Sequence, residues 1–201
     1  MFERRSALAE RVAVCGRDGA DGRRGILLTE TRGGHVVQLT AFRHALHGDP
    51  LRETVLPLLG DLPTEVGSAR AGARTTVLRL SLDQYWVATR DASLVGDLAR
   101  AIPSSVACVT PLTSRVRLTV EGPQARALLC KAIALDLHPR RFVVGRVVQT
   151  ELLHSGIVLL RAGESRFDLY LLRSFAASIW DWLIDAALPI GYDVAVVDWS
   201  G

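Results

Sequence analysis

The chain has 201 residues, a formal net charge of +3 at pH 7 and a hydrophobic content of 49%. This length suits one domain or one and a half, and it is sufficient to bury a substantial core. No apolar run approaches the ~18 residues of a membrane span. The charged residues 1–11 lack the apolar region of a secretory signal. We therefore expect a cytoplasmic protein that does not bind a membrane.

The basic residues argue against a nucleic-acid partner. Lys131 is the only lysine, and the arginine doublets that begin at residues 4, 23 and 140 are short and far apart. Nucleic-acid binders concentrate positive charge on one face, whereas basic and acidic residues alternate along this chain. We interpret the arginines as solvated side chains or as part of a protein interface.

Cysteine and histidine spacing gives no metal or disulfide pattern. Cys15, Cys108 and Cys130 are odd in number and form no CxxC pair, which excludes a disulfide framework and a zinc ribbon. We expect them to be small buried hydrophobes. His44 and His47 have HxxH spacing, but two ligands without a third donor are weak evidence for a metal, and a solvated helix end is the better interpretation.

The N-terminal third contains short elements. Residues 16–25 are rich in Gly, Asp and Arg and predict a loop. Residues 26–29 and 35–39 predict two strands that pair as a hairpin across Arg32-Gly33-Gly34. A helix is predicted over 50–56, and Pro57 should end or kink it.

Residues 62–74, built from Pro, Gly, Ser, Ala and Arg, predict a loop and the best internal boundary. We therefore divide the chain into an N-terminal segment, 1–62, and a main domain, 63–201. The segment is expected to pack on the main domain and to form one compact unit with it.

After this loop, the periodicity of apolar and polar residues is clearer. Strands are predicted at 76–82, 85–89, 105–110, 115–120, 147–153, 157–161, 167–172 and 193–197. Helices are predicted at 92–102, 123–135 and 174–187. From Arg115 onward the order is β-α-β-β-(β)-α-β, which predicts an α+β, ferredoxin-like sandwich. Its sheet should be antiparallel or mixed, with the helices on one face.

The last predicted helix has two apolar strips, with Ser174 as a plausible N-cap. One strip, enough to seat the helix on its sheet, comprises Phe175, Ile179, Trp182, Leu183 and Ala186. The other comprises Ala177, Trp180, Ile184 and Ala187. A surface helix needs one buried face, so we predict that the second strip contacts a partner protein. The alternative is that the 1–62 segment covers it.

Catalytic signatures are missing from the sequence. GxGxxG, GxxxxGK[ST] and GxSxG do not occur. The densest polar segment contains Asp136, His138 and Pro139, where a carboxylate near an imidazole suggests acid–base chemistry. We favour a structural turn there and predict no catalytic, cofactor-binding or metal-binding residue in this chain.

Residues from Val116 to Ala186 resemble the gamma subunit of heterotetrameric sarcosine oxidase. The matching motifs include Leu135-Asp136-Leu137-His138-Pro139, Gln149-Thr150, Phe167-Asp168-Leu169, Arg173-Ser174-Phe175-Ala176 and Trp180-Asp181-Trp182-Leu183. Departures from the family pattern lie at Ala132, Ile133 and 110–113. Arg173 and Ser174 join Asp136, His138 and Pro139 as predicted structural-motif residues.

The resemblance implies a fold like that of the folate-binding aminomethyltransferase (GcvT). It also implies a complex with alpha, beta and delta subunits, which carry FAD, FMN, NAD and zinc while this chain carries no cofactor. Such a complex oxidatively demethylates sarcosine and passes the one-carbon unit to tetrahydrofolate. We expect an accessory, structural subunit. A subunit of a related N-methylglutamate dehydrogenase and a stand-alone folate-binding one-carbon transfer protein are the alternatives.

Overall fold

A computed structural model describes residues 6–9, 11–12, 15–42 and 50–198. The strands are β1 Gly16–Asp18, β2 Ile26–Arg32, β3 His35–Ala41, β4 Ser68–Ala71, β5 Thr75–Arg79, β6 Gln84–Thr89, β7 Ala107–Pro111, β8 Arg115–Glu121, β9 Val147–Leu152, β10 Ser155–Gly163, β11 Arg166–Leu172 and β12 Gly191–Asp198. The helices are α1 Pro50–Leu59, α2 Ala92–Ala101, α3 Ala125–Leu129 and α4 Ala176–Ala187.

The chain divides into two compact units. The first comprises Met1–Gly33 and Ser114–Trp199, and it contains a seven-stranded sheet in the order β1-β12-β2-β8-β11-β10-β9. The neighbours β12 and β2 are parallel, and the other pairs are antiparallel. Alternate strand residues and the inner sides of α3 and α4 form one apolar core.

The order of elements in this unit confirms the predicted α+β fold. After β8 the chain forms α3, β9, β10, β11, α4 and β12 in succession, which is the predicted β-α-β-β-(β)-α-β order. Alternation of apolar and polar residues carried that prediction: in β8, Leu118 and Val120 lie in the core, with the polar Thr119 between them. Strand β2, from the N-terminal part, completes the sheet between β12 and β8.

The second unit comprises Gly34–Thr113. Its five-stranded antiparallel sheet has the order β4-β5-β6-β3-β7. Helices α1 and α2 contribute Leu51, Val55, Leu94 and Leu98 to its own apolar core. Helix α2 begins at a regular cap, because the Asp91 carboxylate accepts a hydrogen bond from the Ser93 N–H at 2.9 Å.

The predicted hairpin between residues 26–29 and 35–39 is wrong. Both strands form, but β2 pairs with β8 and β12, whereas β3 pairs with β6 and β7. The turn at Gly33, which has a φ of 76°, therefore passes the chain from one sheet to the other. The predicted loop at 16–25 also contains β1, which pairs with β12.

Two helix ends differ from the prediction. Helix α1 continues through Pro57 to Leu59, and Gly60, with a φ of 67°, follows its end. Helix α3 ends at Leu129 rather than at 135. The next N–H groups, those of Lys131 and Ala132, bond to carbonyls three residues back, so the backbone tightens into turns.

The two units do not coincide with the division into 1–62 and 63–201. The second unit lies between β2 and β8 in the sequence, and its ends at residues 34 and 113 carry no marked change in composition. The polar stretch 62–74 instead contains β4, a short edge strand inside the second unit. Among the described residues, no helix has the length and apolar character needed to cross a membrane.

Candidate functional site

The second apolar strip of α4 is largely buried within its own chain. Trp180 is 3% exposed and Ala187 is 0% exposed, and both belong to the core of the first unit. Ala177 and Ile184 are partly buried and pack against the same core. The predicted contact of this strip with a partner protein is therefore wrong at Trp180 and Ala187, which the chain itself buries; at Ala177 and Ile184 it stays a prediction.

The N-terminal segment supplies the alternative cover. Leu8 is 1% exposed and lies in the same core cluster as Trp180, with Ala7 and Val12 packed against that cluster. Arg11 forms an ion pair with Asp181 on α4. Leu8 and Arg11 thus bring the N-terminal segment to the core that contains Trp180 and to α4, as the alternative interpretation expected. A period of 3.6 residues reveals an apolar strip but not which segment covers it.

The start of α4 also differs from the prediction. Arg173–Phe175 form a turn of 3-10 helix, and Ser174 is exposed there rather than serving as the N-cap. The Arg173 N–H donates to the Ser114 carbonyl at 2.7 Å, which ties this turn to the start of β8. Phe175, assigned to the inner strip, is 44% exposed.

The Asp136–His138 segment has the geometry of a backbone-stabilised turn. The Asp136 carboxylate accepts a hydrogen bond from the His138 N–H at 2.9 Å, and the His138 Nδ1 accepts one from the Arg140 N–H at 3.3 Å. All three residues and Pro139 are exposed, whereas Phe142 is buried in the core. The carboxylate therefore bonds to the backbone and does not orient the imidazole as acid–base chemistry requires.

A buried arginine forms hydrogen bonds to the residues that follow this turn. Arg161, 6% exposed, donates from its guanidinium to the Phe142 carbonyl at 2.7 Å and to the Glu164 carbonyl at 2.8 Å. Longer contacts reach the Gly163 carbonyl at 3.3 Å and the Pro139 carbonyl at 3.4 Å. One side chain on β10 thus joins the 139–142 turn to the hairpin that connects β10 and β11. Sequence reasoning missed this role because all the partners are backbone carbonyls.

A second buried polar cluster lies on the first sheet. The Asp168 carboxylate, in β11, accepts hydrogen bonds from Arg117 at 2.7 Å and from the Thr119 hydroxyl at 2.8 Å, both in β8. The Arg117 guanidinium also lies 5.9 Å from the centre of the Tyr170 ring. Burial raises the pKa of the Tyr170 hydroxyl above its ordinary value, and the nearby Asp168 charge adds to this effect.

The other buried carboxylate is also engaged. Glu30 is 3% exposed; it accepts a hydrogen bond from Arg32 at 2.8 Å and another from the Ser6 hydroxyl. Both Glu30 and Asp168 therefore have cationic and hydroxyl partners within the chain. Buried polar groups are normally hydrogen-bonded, and these two carboxylates find their partners within the chain.

Metal and thiol chemistry gain no support from the described residues. They contain no group of three or more His, Cys, Asp or Glu side chains placed to hold a metal ion. The HxxH pair, His44 and His47, lies outside the described part of the chain. Cys15, Cys108 and Cys130 are exposed free thiols, so the expectation that they are buried hydrophobes is wrong.

One depression lies in the second unit. It has a volume of about 200 Å³ and is lined by Leu58, Leu59, Arg70 to Thr75 and Val77. Ligand pockets commonly have ~300–1,000 Å³, and Arg70 already forms an ion pair with Asp61. The depression is therefore smaller than a typical ligand pocket.

Solved structures place this fold among known α+β proteins. The chain is similar to a chain of the heterotetrameric sarcosine oxidase from Corynebacterium sp. U-96, with 30% identity and a TM-score of 0.76; the match covers 91% of this chain and 94% of that one. It also matches the glycine cleavage system aminomethyltransferase T from Bartonella henselae, with 18% identity and a TM-score of 0.62, over 87% of this chain and 48% of that one. The second likeness confirms the predicted aminomethyltransferase-like fold.

The sequence comparisons identify the family. Residues 83–188 match the model of the sarcosine oxidase, gamma subunit family, and the chain belongs to that family. A sarcosine oxidase subunit gamma from Arthrobacter sp. is 34% identical over 128 residues, which span 62% of this chain and 63% of the relative. The subunit gamma from Corynebacterium sp. (strain U-96) matches equally, at 34% identity and 62% of each chain.

Proposed function

We propose that the chain is the gamma-type accessory subunit of a heterotetrameric, flavin-dependent sarcosine oxidase. The observation that carries this proposal is its similarity to a chain of heterotetrameric sarcosine oxidase over 91% of its length. Alpha, beta and delta subunits would be its partners and would hold FAD, FMN, NAD and zinc. The complex would oxidatively demethylate sarcosine and pass the one-carbon unit to tetrahydrofolate in the cytoplasm.

The role proposed for this chain is structural. The two buried carboxylates of the described residues, Glu30 and Asp168, are paired with arginines of the same chain, and the Asp136–His138 turn bonds to its own backbone. No group among these is left to act on a substrate. The chain would therefore support assembly of the complex, and we expect the purified chain to show no flavin absorption and no stoichiometric zinc.

A stand-alone folate-binding protein is the rival suggested by the fold. Likeness to an aminomethyltransferase at 18% identity concerns the fold alone. A pterin-binding site needs an acidic residue in a concave pocket, whereas both buried carboxylates are already paired. Titration of the purified chain with tetrahydrofolate distinguishes the two: the accessory role predicts no saturable binding at micromolar concentrations.

Deletion of the chain from a co-expressed oxidase tests the proposal. We expect the remaining subunits to lose sarcosine oxidase activity or to separate on gel filtration, and re-expression of the chain to restore both. A complete, fully active oxidase assembled without this chain would contradict an assembly role. A complex that oxidises N-methylglutamate but not sarcosine would instead identify the related dehydrogenase.

A further inference from the structure

The outer edge of the seven-stranded sheet is formed by β9, and this edge lacks most of the features by which proteins protect exposed strands. Short length, lysine, proline and bulges are the common protections. Strand β9 has six residues, pairs with β10 in an unbroken register and carries a single charged side chain, Glu151. Among the described residues, β10 is its only partner strand.

The other sheet edges contrast with β9. At the opposite end of the same sheet, β1 has three residues, of which Arg17 and Asp18 are charged. In the second sheet, β4 has four residues and carries Arg70, and β7 ends in Pro111. Each of these strands has at least one common protection, and β9 is the longest of the four.

The hairpin geometry shows which backbone groups of β9 point outward. Leu153 and His154, with φ values of 51° and 61°, form a two-residue turn of type I′ between the paired Leu152 and Ser155. The pair that closes such a turn is hydrogen-bonded, and pairs then alternate along the ladder. The Arg161 N–H bonds to the Arg146 carbonyl at 2.9 Å, which fits the same alternation.

It follows that the N–H and C=O groups of Val148, Thr150 and Leu152 face β10. Those of Val147, Gln149 and Glu151 face away from the sheet. Strand β9 is about 20 Å long at ~3.3 Å per residue. Val147 is 2% exposed, whereas Gln149 and Glu151 are exposed. The edge therefore presents two residues with both backbone groups available to another extended strand.

Exposed aliphatic side chains lie at both ends of this edge. The Arg146 N–H donates to the Val143 carbonyl at 3.0 Å, and Gly145 has a φ of 84°, which together define a type II turn. Val143 and Val144 in this turn are 50% and 51% exposed, and Leu153 at the other end is 39% exposed. Turns favour Gly, Pro, Asn, Asp and Ser, so turn formation does not explain these aliphatic residues.

We propose that the outer edge of β9 binds an extended segment of another subunit, which adds a strand to the sheet. The proposal rests on the accessory role proposed above. The segment would pair with Gln149 and Glu151, place a basic side chain opposite Glu151, and cover Val144 and Leu153 with aliphatic side chains. An open sheet edge is a template for pairing with another chain, and exposed apolar residues beside it add contact area for such a partner.

Residue-resolved amide hydrogen exchange tests this assignment in the chain alone and in the assembled complex. The amides of Gln149 and Glu151 should exchange rapidly in the chain alone and at least tenfold more slowly in the complex. Those of Val148, Thr150 and Leu152, bonded to β10, should be protected in both and serve as internal references. Equal exchange of the outward amides in both samples would overturn the proposal.

A proline substitution gives a second test with a matched control. Gln149→Pro removes an outward N–H without removing a bond to β10, whereas Gln149→Ala removes the same side chain and keeps the N–H. We expect Gln149→Pro to weaken subunit binding at least tenfold and Gln149→Ala to change it less than threefold. A folded Gln149→Pro chain that assembles like wild type would contradict the proposal; if it does not fold, the exchange experiment decides.

The same experiments separate this inference from the proposed function. If the wild-type chain assembles with no oxidase subunit, the proposed function fails. If it assembles while the outward amides stay unprotected, only the docking assignment fails. Protection that appears in the chain alone and increases with its concentration, together with a dimer on sedimentation, would identify a second copy as the occupant and overturn the assignment to another subunit.

Discussion

Replacement of Arg161 by methionine should destabilise the first unit. The side chain is 6% exposed and donates two short hydrogen bonds to carbonyls, at 2.7 and 2.8 Å. Hydrogen bonds that involve a charged group contribute ~1.5–3 kcal/mol each, so the gross loss is about 3–6 kcal/mol. Removal of a buried cation, which is costly to desolvate, offsets part of this loss and leaves a net cost of about 2–4 kcal/mol.

Urea denaturation of the purified chain measures this cost as a change in the free energy of unfolding. Arg146→Met is the matched control, because Arg146 is exposed and lies at the end of the same loop; it should change stability by less than about 0.5 kcal/mol. Arg161→Lys should recover less than half the loss, since an ammonium cannot span carbonyls on two segments. If Arg161→Met and Arg146→Met have the same free energy of unfolding, the contacts of Arg161 with the carbonyls do not stabilise the turn and the reasoning is refuted.

Three further predictions follow from local geometry. Replacement of Leu153 and His154 by Asn-Gly should raise the free energy of unfolding by about 1–2 kcal/mol, because both residues have positive φ; no gain in urea denaturation would show that the turn is unstrained. The hydrogen bonds from the side chain and backbone of Ser93 lower the pKa of Asp91 in the folded chain. The stabilisation by the ionised Asp91 should therefore be present above the pKa of the unfolded chain and be lost as pH falls through the pKa of the folded chain. Asp91→Asn should reduce the change in the free energy of unfolding between pH 5 and pH 2, and an unchanged acid titration would contradict this. Trp180→Glu should unfold the chain because it places a charge in the core, whereas Phe175→Glu, at the exposed position that precedes the same helix, should not. Circular dichroism measures the folding of both variants, and a folded Trp180→Glu chain would contradict the burial of Trp180.

The strand and helix order from Arg115 to the end of β12 was predictable from the sequence. Side chains alternate between the two faces of a strand, so a strand with one apolar face, such as β8, has a period of two in hydrophobicity. The partner of a strand has no comparable signal. The strands around Gly33 were therefore identified correctly but assigned to one hairpin, although each belongs to a different sheet.

The contacts of Trp180 and of Asp168 were less predictable because their partners are distant in sequence. Leu8 and Trp180 share one core although 172 positions separate them, and no helical period indicates which segment covers a strip. Asp168 meets Arg117 only when β8 and β11 pair. The Asp136–His138 turn was accessible because a carboxylate that bonds to the backbone N–H two residues later is a local motif.

Purification of the affinity-tagged chain from its native source tests the central claim most directly. The accessory-subunit account predicts that the chain elutes in a stoichiometric complex with a flavoprotein and that this complex consumes oxygen when sarcosine is added. Elution of the chain as a monomer, with no flavin and no sarcosine-dependent oxygen consumption in its fractions, would contradict the account.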